Sequence, residues 1–142
     1  MKRRILLFLL AFISISQYVG ASDARNKYNF NSDWLLSVGD TPEAQQVRFQ
    51  DTDWKKVTLP RAFNEDEAFR LSIDQLTDTV MWYRKHLRLP AGSKDKKVFI
   101  EFEGVRQGAD FYINGQYLGL HENGAMAVGF DLTPYIKRSE ER

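Results

Sequence analysis

The stretch GADFYINGQYLGLHENG, residues 108–124, decides the fold and contains two Asn-Gly pairs. The first pair, Asn114-Gly115, lies between the β-favouring runs FYI and QYLG. A two-residue type I′ turn needs positive φ at both central positions, and Asn-Gly between such runs is the strongest short signal for it. We therefore predict a hairpin whose opposed pairs are Ile113 with Gln116, Tyr112 with Tyr117, and Phe111 with Leu118.

The predicted register places Tyr112 and Tyr117 on one face of the hairpin. Aromatic pairs across two strands stabilise a sheet, and exposed rings can also stack on the apolar face of a sugar. We favour the structural role for this pair and keep direct sugar contact as the alternative.

The second pair, Asn123-Gly124, follows His121 and Glu122 in the segment LHENGAM. One interpretation is a sugar-facing loop in which His121 and Glu122 contact the ligand. The other is a polar connection whose Asn-Gly pair supplies the positive φ of a tight turn.

Alternation of apolar and polar residues recurs along the chain and indicates an antiparallel sheet with one wet face. FDLTPYI predicts a strand that ends at Leu132, followed by a short helical turn with Thr133 as the N-cap and Pro134 first in the helix. The sequence thus predicts an all-β sandwich of roughly seven short strands. The segments with the strand pattern are WLLSVGD (34–40), WKKVTLP (54–60), MWYRKHLRLP (81–90) and KKVFIEFEGV (96–105).

The first residues have the layout of a secretory signal peptide: three basic residues, an apolar run of about eleven residues, and the small-residue pattern VGA before a cleavage point after Ala21. The run is shorter than the roughly 20 residues that span a bilayer. We predict a signal peptide over 1–21, one domain over 22–142, and no stable membrane insertion once the signal is removed. The chain has no cysteine, which favours the periplasm or exterior of a bacterium over a eukaryotic secretory route.

Removing the three basic residues of the signal leaves 17 Lys and Arg against 19 Asp and Glu, a net charge near −2. A protein that binds nucleic acid through its phosphates carries a basic surplus, so no nucleic-acid partner is expected.

A long connection between Leu59 and Val80 lacks strand alternation, and such connections are often functional. Its carboxylates and amide suit a ligand rich in hydroxyl groups; the alternative is a solvated acidic loop held by Phe63 and Phe69. Calcium ligation lacks EF-hand spacing, and EAFRLSIDQL (67–76) has the pattern of a short helix. The candidate substrate-binding residues here are Arg61, Asn64, Glu65 and Asp66.

Other chemistries find no support in the sequence. The two histidines, His86 and His121, have no third close ligand for zinc, and no nucleophile elbow, phosphate loop or dinucleotide motif occurs. We therefore predict no catalytic residue, metal or cofactor in this chain.

Several sequence segments, in their order along the chain, resemble segments of one protein family. FNSDWLLSVGD, DTDWKKVTLPRAFNEDEAF, MWYRKHLRLP and KKVFIEFEGVRQGADFYINGQYLGLHENGAMAVGFDLTPYI look like the N-terminal sugar-binding domain of glycoside hydrolase family 2, over nearly all of 30–136. Many members have L-P-H-D-W where this chain reads LPRAF. After TPYIK the family continues with further strands, whereas here RSEER follows.

The resemblance implies a jelly-roll, galactose-binding-like sandwich, incomplete at its C-terminus. It also implies that the catalytic glutamates of a retaining mechanism belong to a barrel domain elsewhere in the parent enzyme. We predict the leading segment of an exported, β-galactosidase-like glycosidase, with a carbohydrate substrate and the remaining domains of the parent as partners. The alternatives are a free-standing carbohydrate-binding module without enzymatic activity and a structural interaction domain.

Overall fold

The computed structural model describes residues 25–62, 65, 79–93 and 95–136. The chain divides into two compact units, Met1–Phe30 and Asn31–Arg142, and the elements below belong to the second. In the part of the chain that the structure describes, no helix has the length and apolar character that crossing a membrane requires. The predicted signal peptide and the predicted helix over 67–76 fall outside the described residues.

The described residues form seven strands arranged in three antiparallel sheets with the orders β2-β1-β3, β4-β7 and β5-β6. The predicted all-β antiparallel sandwich is confirmed. The strands are β1 Trp34–Val38, β2 Lys55–Val57, β3 Met81–Arg84, β4 Phe99–Phe102, β5 Ala109–Ile113, β6 Gln116–His121 and β7 Val128–Asp131. Several strands are shorter than the sequence patterns that predicted them; β2, for example, ends at Val57. Beyond its end, the N–H of Leu59 donates to the main-chain oxygen of Asn31 at 2.8 Å, which is not part of the pairing between strands.

Four aromatic rings join the three sheets into one core. The ring of Phe102 (β4) lies 6.2 Å from that of Trp34 (β1) and 5.2 Å from that of Phe111 (β5), and Phe111 lies 4.9 Å from Phe130 (β7). Tilted ring pairs at such distances stabilise a core beyond the burial of their area. The most buried apolar side chains of the described residues are Trp34, Leu36, Ala44, Val57 and Leu132.

The hairpin at Asn114-Gly115 has the predicted turn, with φ of 49° and 78° at the two central residues. Ile113 opposes Gln116 and Tyr112 opposes Tyr117, as predicted. The predicted opposition of Phe111 and Leu118 is wrong, because Phe111 opposes Gly119 across a shift in register. Leu118 is the extra residue of a β-bulge, and Gly119 has a φ of 148° that favours glycine.

The loop after β6 does not have the positive φ predicted for its Asn-Gly pair. Neither Asn123 nor Gly124 is among the described residues with positive φ. Instead, Gly124 provides space: a Cβ there would lie 3.2 Å from the main-chain nitrogen of Gln107 and 3.4 Å from the Cα of Arg106. The glycine lets this loop pack on the backbone that precedes β5.

The segment after β7 makes a single hydrogen-bonded turn, in which the N–H of Ile136 donates to the oxygen of Leu132 (3.3 Å). The prediction that Thr133 is its N-cap is wrong. The carboxylate of Asp131 accepts from the N–H of Thr133 (2.9 Å), while the Thr133 hydroxyl oxygen accepts from the N–H of Val98 (2.9 Å). The main chain directly before β4 therefore bonds to the hydroxyl that the local sequence assigned to the cap.

Arg84 fixes the long connection between β1 and β2. Its Nε donates to the carboxylate of Asp51 at 2.8 Å, and both side chains are largely buried. The same carboxylate contacts Nε2 of the exposed His86 at 2.7 Å. The guanidinium also donates to the main-chain oxygens of Ala44 (2.7 Å), Gln46 (3.0 Å) and Val47 (3.3 Å).

Candidate functional site

The loop after β2 presents Arg61 from a fixed backbone. The Leu59–Pro60 peptide bond is cis, and the hydroxyl of Tyr83 on β3 donates to the main-chain oxygen of Arg61 at 2.8 Å. Burial raises the pKa of the Tyr83 phenol, and the positive charge of Arg61 offsets part of that rise. The phenol thus remains a donor at neutral pH and ties the loop to the sheet.

The guanidinium of Arg61 forms an ion pair with Glu65 across one turn of the loop. Nη1 of Arg61 lies 3.1 Å from Oε2 of Glu65, and the two side chains are 24% and 52% exposed. The N–H of Glu65 also approaches the oxygen of Ala62 (3.3 Å). An exposed carboxylate can accept hydrogen bonds from hydroxyl groups.

His121 ends β6, opposite Ala109 of β5. Its Nε2 atom is buried and has no hydrogen-bond partner among the described residues. Side chains alternate between the two faces of a strand. Because Leu118 is an extra residue, each side chain after it points to the face opposite to the one it would have in a regular strand. Leu120 is consequently 54% exposed, while the His121 ring turns inward.

The residues after His121 form an exposed polar loop. Glu122 and Asn123 are both exposed, and the side-chain oxygen of Asn123 accepts from the N–H of Ala125 at 3.1 Å. The N–H of Met126 approaches the main-chain oxygen of Asn123 (3.4 Å). The loop therefore offers an exposed carboxylate one residue after an imidazole whose Nε2 is buried.

A row of three aromatic rings links β3, β5 and β6. The ring of Tyr112 lies 6.2 Å from that of Trp82 and 5.3 Å from that of Tyr117, with the two tyrosines 40% and 54% exposed. The hydroxyl of Tyr117 donates to Asp110 (2.9 Å), and this hydrogen bond raises the pKa of the phenol. Nε1 of Trp82 is buried with no partner among the described residues.

No group of three or more His, Cys, Asp or Glu side chains able to hold a metal ion occurs within the described ranges. The polar groups of the two loops, which are carboxylates, an imidazole and a guanidinium, have the chemistry of hydroxyl recognition.

Comparison with known proteins gives the family. The profile described as "Glycosyl hydrolases family 2, sugar binding domain" matches residues 25–142. The chain belongs to this family. The resemblance drawn from the sequence is thereby confirmed, and the two loops are loops of a family 2 sugar-binding domain.

Relatives in this family include a β-glucuronidase of Formosa agariphila, 42% identical over 84% of this chain and 13% of that protein. A β-galactosidase of Thermoanaerobacter pseudethanolicus is 37% identical over 80% of this chain and 15% of that protein. The chain spans less than a sixth of the length of these two relatives.

Solved structures show the same fold. A β-glucuronidase from glycoside hydrolase family 2 superposes with a TM-score of 0.77, at 42% identity, over 86% of this chain and 14% of that one. Bacteroides uniformis β-glucuronidase 2 gives a TM-score of 0.75, at 28% identity, over 82% of this chain and 14% of that one.

The structure places the predicted site residues of this family 2 domain in two groups. Arg61 and Glu65 are brought together as an ion pair, and His121 and Glu122 lie at the end of β6. Asn64 and Asp66 lie outside the described residues. Sequence reasoning missed Tyr83, which anchors the first loop, because the strand pattern of residues 81–90 does not indicate the partner of its hydroxyl.

Proposed function

We propose that this chain is the N-terminal sugar-binding domain of an exported family 2 glycosidase. In this proposal the loops after β2 and β6 border the mouth of an active site whose catalytic carboxylates belong to another domain. The observation that carries it is the buried Nε2 of His121, which has no partner among the described residues and belongs to the strand end directly before the exposed Glu122.

A buried polar atom without a partner costs about 1–3 kcal/mol, so native structures rarely retain one. The bordering loop is exposed and polar, which makes a sugar hydroxyl or a polar group of a neighbouring domain a suitable partner. Because an imidazole nitrogen can donate or accept, it suits a hydroxyl, which can do both.

The Arg61–Glu65 pair bears on the class of sugar. A uronate carboxylate that used Arg61 would have to compete with Glu65, which is already 3.1 Å from the guanidinium. A neutral sugar faces no such competition and can donate a hydroxyl to the exposed Glu65 carboxylate. The geometry of this loop thus supports a neutral β-galactoside contact here, and a uronate specificity would have to be supplied elsewhere.

The relatives divide between β-glucuronidases and β-galactosidases, so β-glucuronides join the β-galactosides of the sequence-based prediction as candidate substrates. Export rests on the signal-peptide layout of residues 1–21. N-terminal sequencing of the mature protein checks it, with a first residue of Ser22 as the expected result.

The test uses the full-length gene product that contains this chain and two matched variants, His121→Ala and His86→Ala. We expect His121→Ala to lower kcat/KM on a chromogenic β-galactoside or β-glucuronide by at least about tenfold, roughly 1.4 kcal/mol of lost transition-state binding. His86 lies after β3 with an exposed ring that contacts Asp51, and its replacement should leave kcat/KM within about twofold.

Equal effects of the two replacements, or none at His121, would contradict the role of the β6 loop. The 142-residue chain alone is expected to release no product from either substrate. Release of product by the purified chain would contradict the assignment of catalysis to another domain.

A second candidate function, a carbohydrate-binding module, is favoured by the exposed rings of Tyr112 and Tyr117, which the partly exposed Trp82 adjoins. If the row binds glycans, calorimetry of the chain with galactosides should give a signal that Tyr112→Ala removes and His121→Ala preserves. The reverse pattern favours the loop after β6.

A further inference from the structure

The two Asn-Gly pairs of this chain are held in opposite ways. In the hairpin turn, the side-chain nitrogen of Asn114 donates to the main-chain oxygen of Tyr135 at 2.8 Å. In the loop after β6, the side-chain oxygen of Asn123 accepts from the N–H of Ala125 at 3.1 Å. One contact holds the amide nitrogen and the other holds the amide oxygen.

This difference matters because an asparagine amide can be attacked by the main-chain nitrogen of the next residue. Glycine at that position offers least steric hindrance, since it has no Cβ. The carbonyl oxygen then gains negative charge and the amide nitrogen leaves. A donor on the oxygen stabilises the first change, whereas a partner on the nitrogen restrains the second.

We propose that Asn123 is a site of spontaneous deamidation in the native protein and that Asn114 is protected. The Asn123 side chain bonds to a main-chain N–H two residues ahead, so its carbonyl carbon is folded back over the Gly124 peptide. Both Asn123 and Gly124 are exposed, which admits the water and base that the reaction needs.

The step balances without an oxidant or reductant. Water or hydroxide removes the proton of the Gly124 N–H, and the nitrogen attacks Cγ of Asn123 while its oxygen takes the electron pair, facing the Ala125 N–H. The C–N bond to Nδ2 breaks, solvent protonates the nitrogen, and ammonia leaves a cyclic succinimide. Water then opens the ring to give aspartate or isoaspartate.

The hairpin pair is exposed as well, but its side-chain amide is held in a different way. Asn114 has a φ of 49° in a turn whose flanking residues, Ile113 and Gln116, are paired. Its leaving nitrogen is tethered to Tyr135. The turn also lies against the segment before β2, since a Cβ on Gly115 would be 3.7 Å from the main-chain oxygen of Gln45.

Deamidation would change the loop that carries the candidate sugar contacts. A new carboxylate beside Glu122 places two negative charges next to each other. Isoaspartate also adds a methylene to the main chain directly before Gly124, whose packing leaves only 3.2 Å between a built Cβ and the nitrogen of Gln107. The modified loop should therefore separate from the backbone before β5.

The test incubates the purified chain in mildly alkaline buffer made with water enriched in heavy oxygen, followed by peptide mapping by mass spectrometry. Each deamidated residue acquires one heavy oxygen, so the label identifies the site. In native buffer we expect Asn123 to react at least about tenfold faster than Asn114, a barrier difference of about 1.4 kcal/mol. In concentrated urea the two rates should converge, because the dipeptide is the same.

Equal rates in native buffer, or a faster rate at Asn114, would overturn the proposal. Two variants test its parts. Asn123→Gln should abolish labelling at residue 123 because closure then needs a larger ring, and Ala125→Pro, which removes the donor to the amide oxygen, should slow labelling at Asn123. An unchanged rate in Ala125→Pro, with Asn114 still protected as evidence that the chain is folded, would overturn the role of the Ala125 N–H.

Discussion

The hairpin turn at Asn114-Gly115 and the loop at Asn123-Gly124 share a dipeptide and differ in why it is there. In the turn, both residues have positive φ and the glycine serves the backbone conformation. In the loop, neither residue does, and the glycine leaves room for the main chain of Arg106 and Gln107. The Asn-Gly dipeptide therefore serves a backbone conformation in the turn and a close packing contact in the loop.

The difference lies in what surrounds each pair. The turn joins two strands whose register it fixes, so its geometry follows from its neighbours in sequence. The loop packs on a segment that precedes β5, so its geometry follows from a contact some 17 residues away along the chain, as the separation of Gln107 and Gly124 gives. Four measurements test this contrast between the turn and the loop.

The largest effect is expected from Arg84→Met, which removes the support under the hairpin turn. The variant leaves the largely buried Asp51 carboxylate with the exposed His86 ring but without its guanidinium, and it frees the segment 44–47 that lies against the turn. Breaking such a pair is strongly destabilising, and we expect the free energy of unfolding to fall by about 3 kcal/mol. Urea unfolding followed by tryptophan fluorescence measures it.

Arg88→Met is the matched control, because Arg88 is exposed on the same segment of chain. Its replacement should change the free energy of unfolding by less than about 0.5 kcal/mol. Losses of similar size in the two variants would show that the contacts of Arg84 do not support the fold.

Gly124→Ala is expected to cost about 2 kcal/mol, because the new methyl group meets main-chain atoms that cannot rotate away. Gly108→Ala is the control: no heavy atom lies within 4 Å of its built Cβ and its φ is not positive. Urea midpoints of the two variants should therefore separate clearly. If alanine is tolerated at position 124, close packing is not the reason for that glycine.

Gly115→Ala is expected to cost about 1 kcal/mol, through the left-handed conformation alone. Its φ is 78° and its nearest neighbours lie at ordinary contact distances, so volume is not the cause. Gly115→Asn should cost less, because asparagine tolerates this region better than alanine. If alanine and asparagine behave alike in thermal unfolding, backbone conformation is not what the turn requires.

The smallest effect concerns acid sensitivity at the turn after β7, whose Tyr135 oxygen holds the Asn114 amide. Hydrogen bonds from the side chain and main-chain N–H of Thr133 lower the pKa of Asp131 below its usual 3.8. A lowered pKa means that this stabilisation is present above pH 3.8 and is lost as the pH falls through the folded-state value. Asp131→Asn should flatten the dependence of Tm on pH in that acidic window, and an unchanged slope would contradict the linkage.

Local patterns in the sequence predicted what local chemistry determines. The all-β class, the I′ turn and the pairing of Tyr112 with Tyr117 follow from alternation and from one dipeptide. The opposition of Phe111 to Leu118 failed because a bulge is specified by packing on both sides of the hairpin. Thr133 failed as a cap because Val98, 35 residues earlier, bonds to its hydroxyl oxygen.

The candidate site was predicted only in part, because some of its contacts join segments that are far apart in the sequence. Arg61 and Glu65 lie close along the chain, and their pairing is a short-range event. The anchor of that loop is the Tyr83 hydroxyl, 22 residues away, and the inward turn of His121 depends on the bulge. Contacts between distant segments decide which predicted polar residues are fixed and which are free to face a ligand.

The bulge at Leu118 also has a consequence for insertions and deletions. Deleting Leu118 would leave a regular ladder in which Tyr117 still opposes Tyr112 and the next residue still opposes Phe111, so His121 keeps its partner Ala109 and its facing. Deleting Leu120 instead shifts His121 by one position and turns its ring to the opposite face. This hairpin can therefore be shortened by one residue at a single point without moving the imidazole.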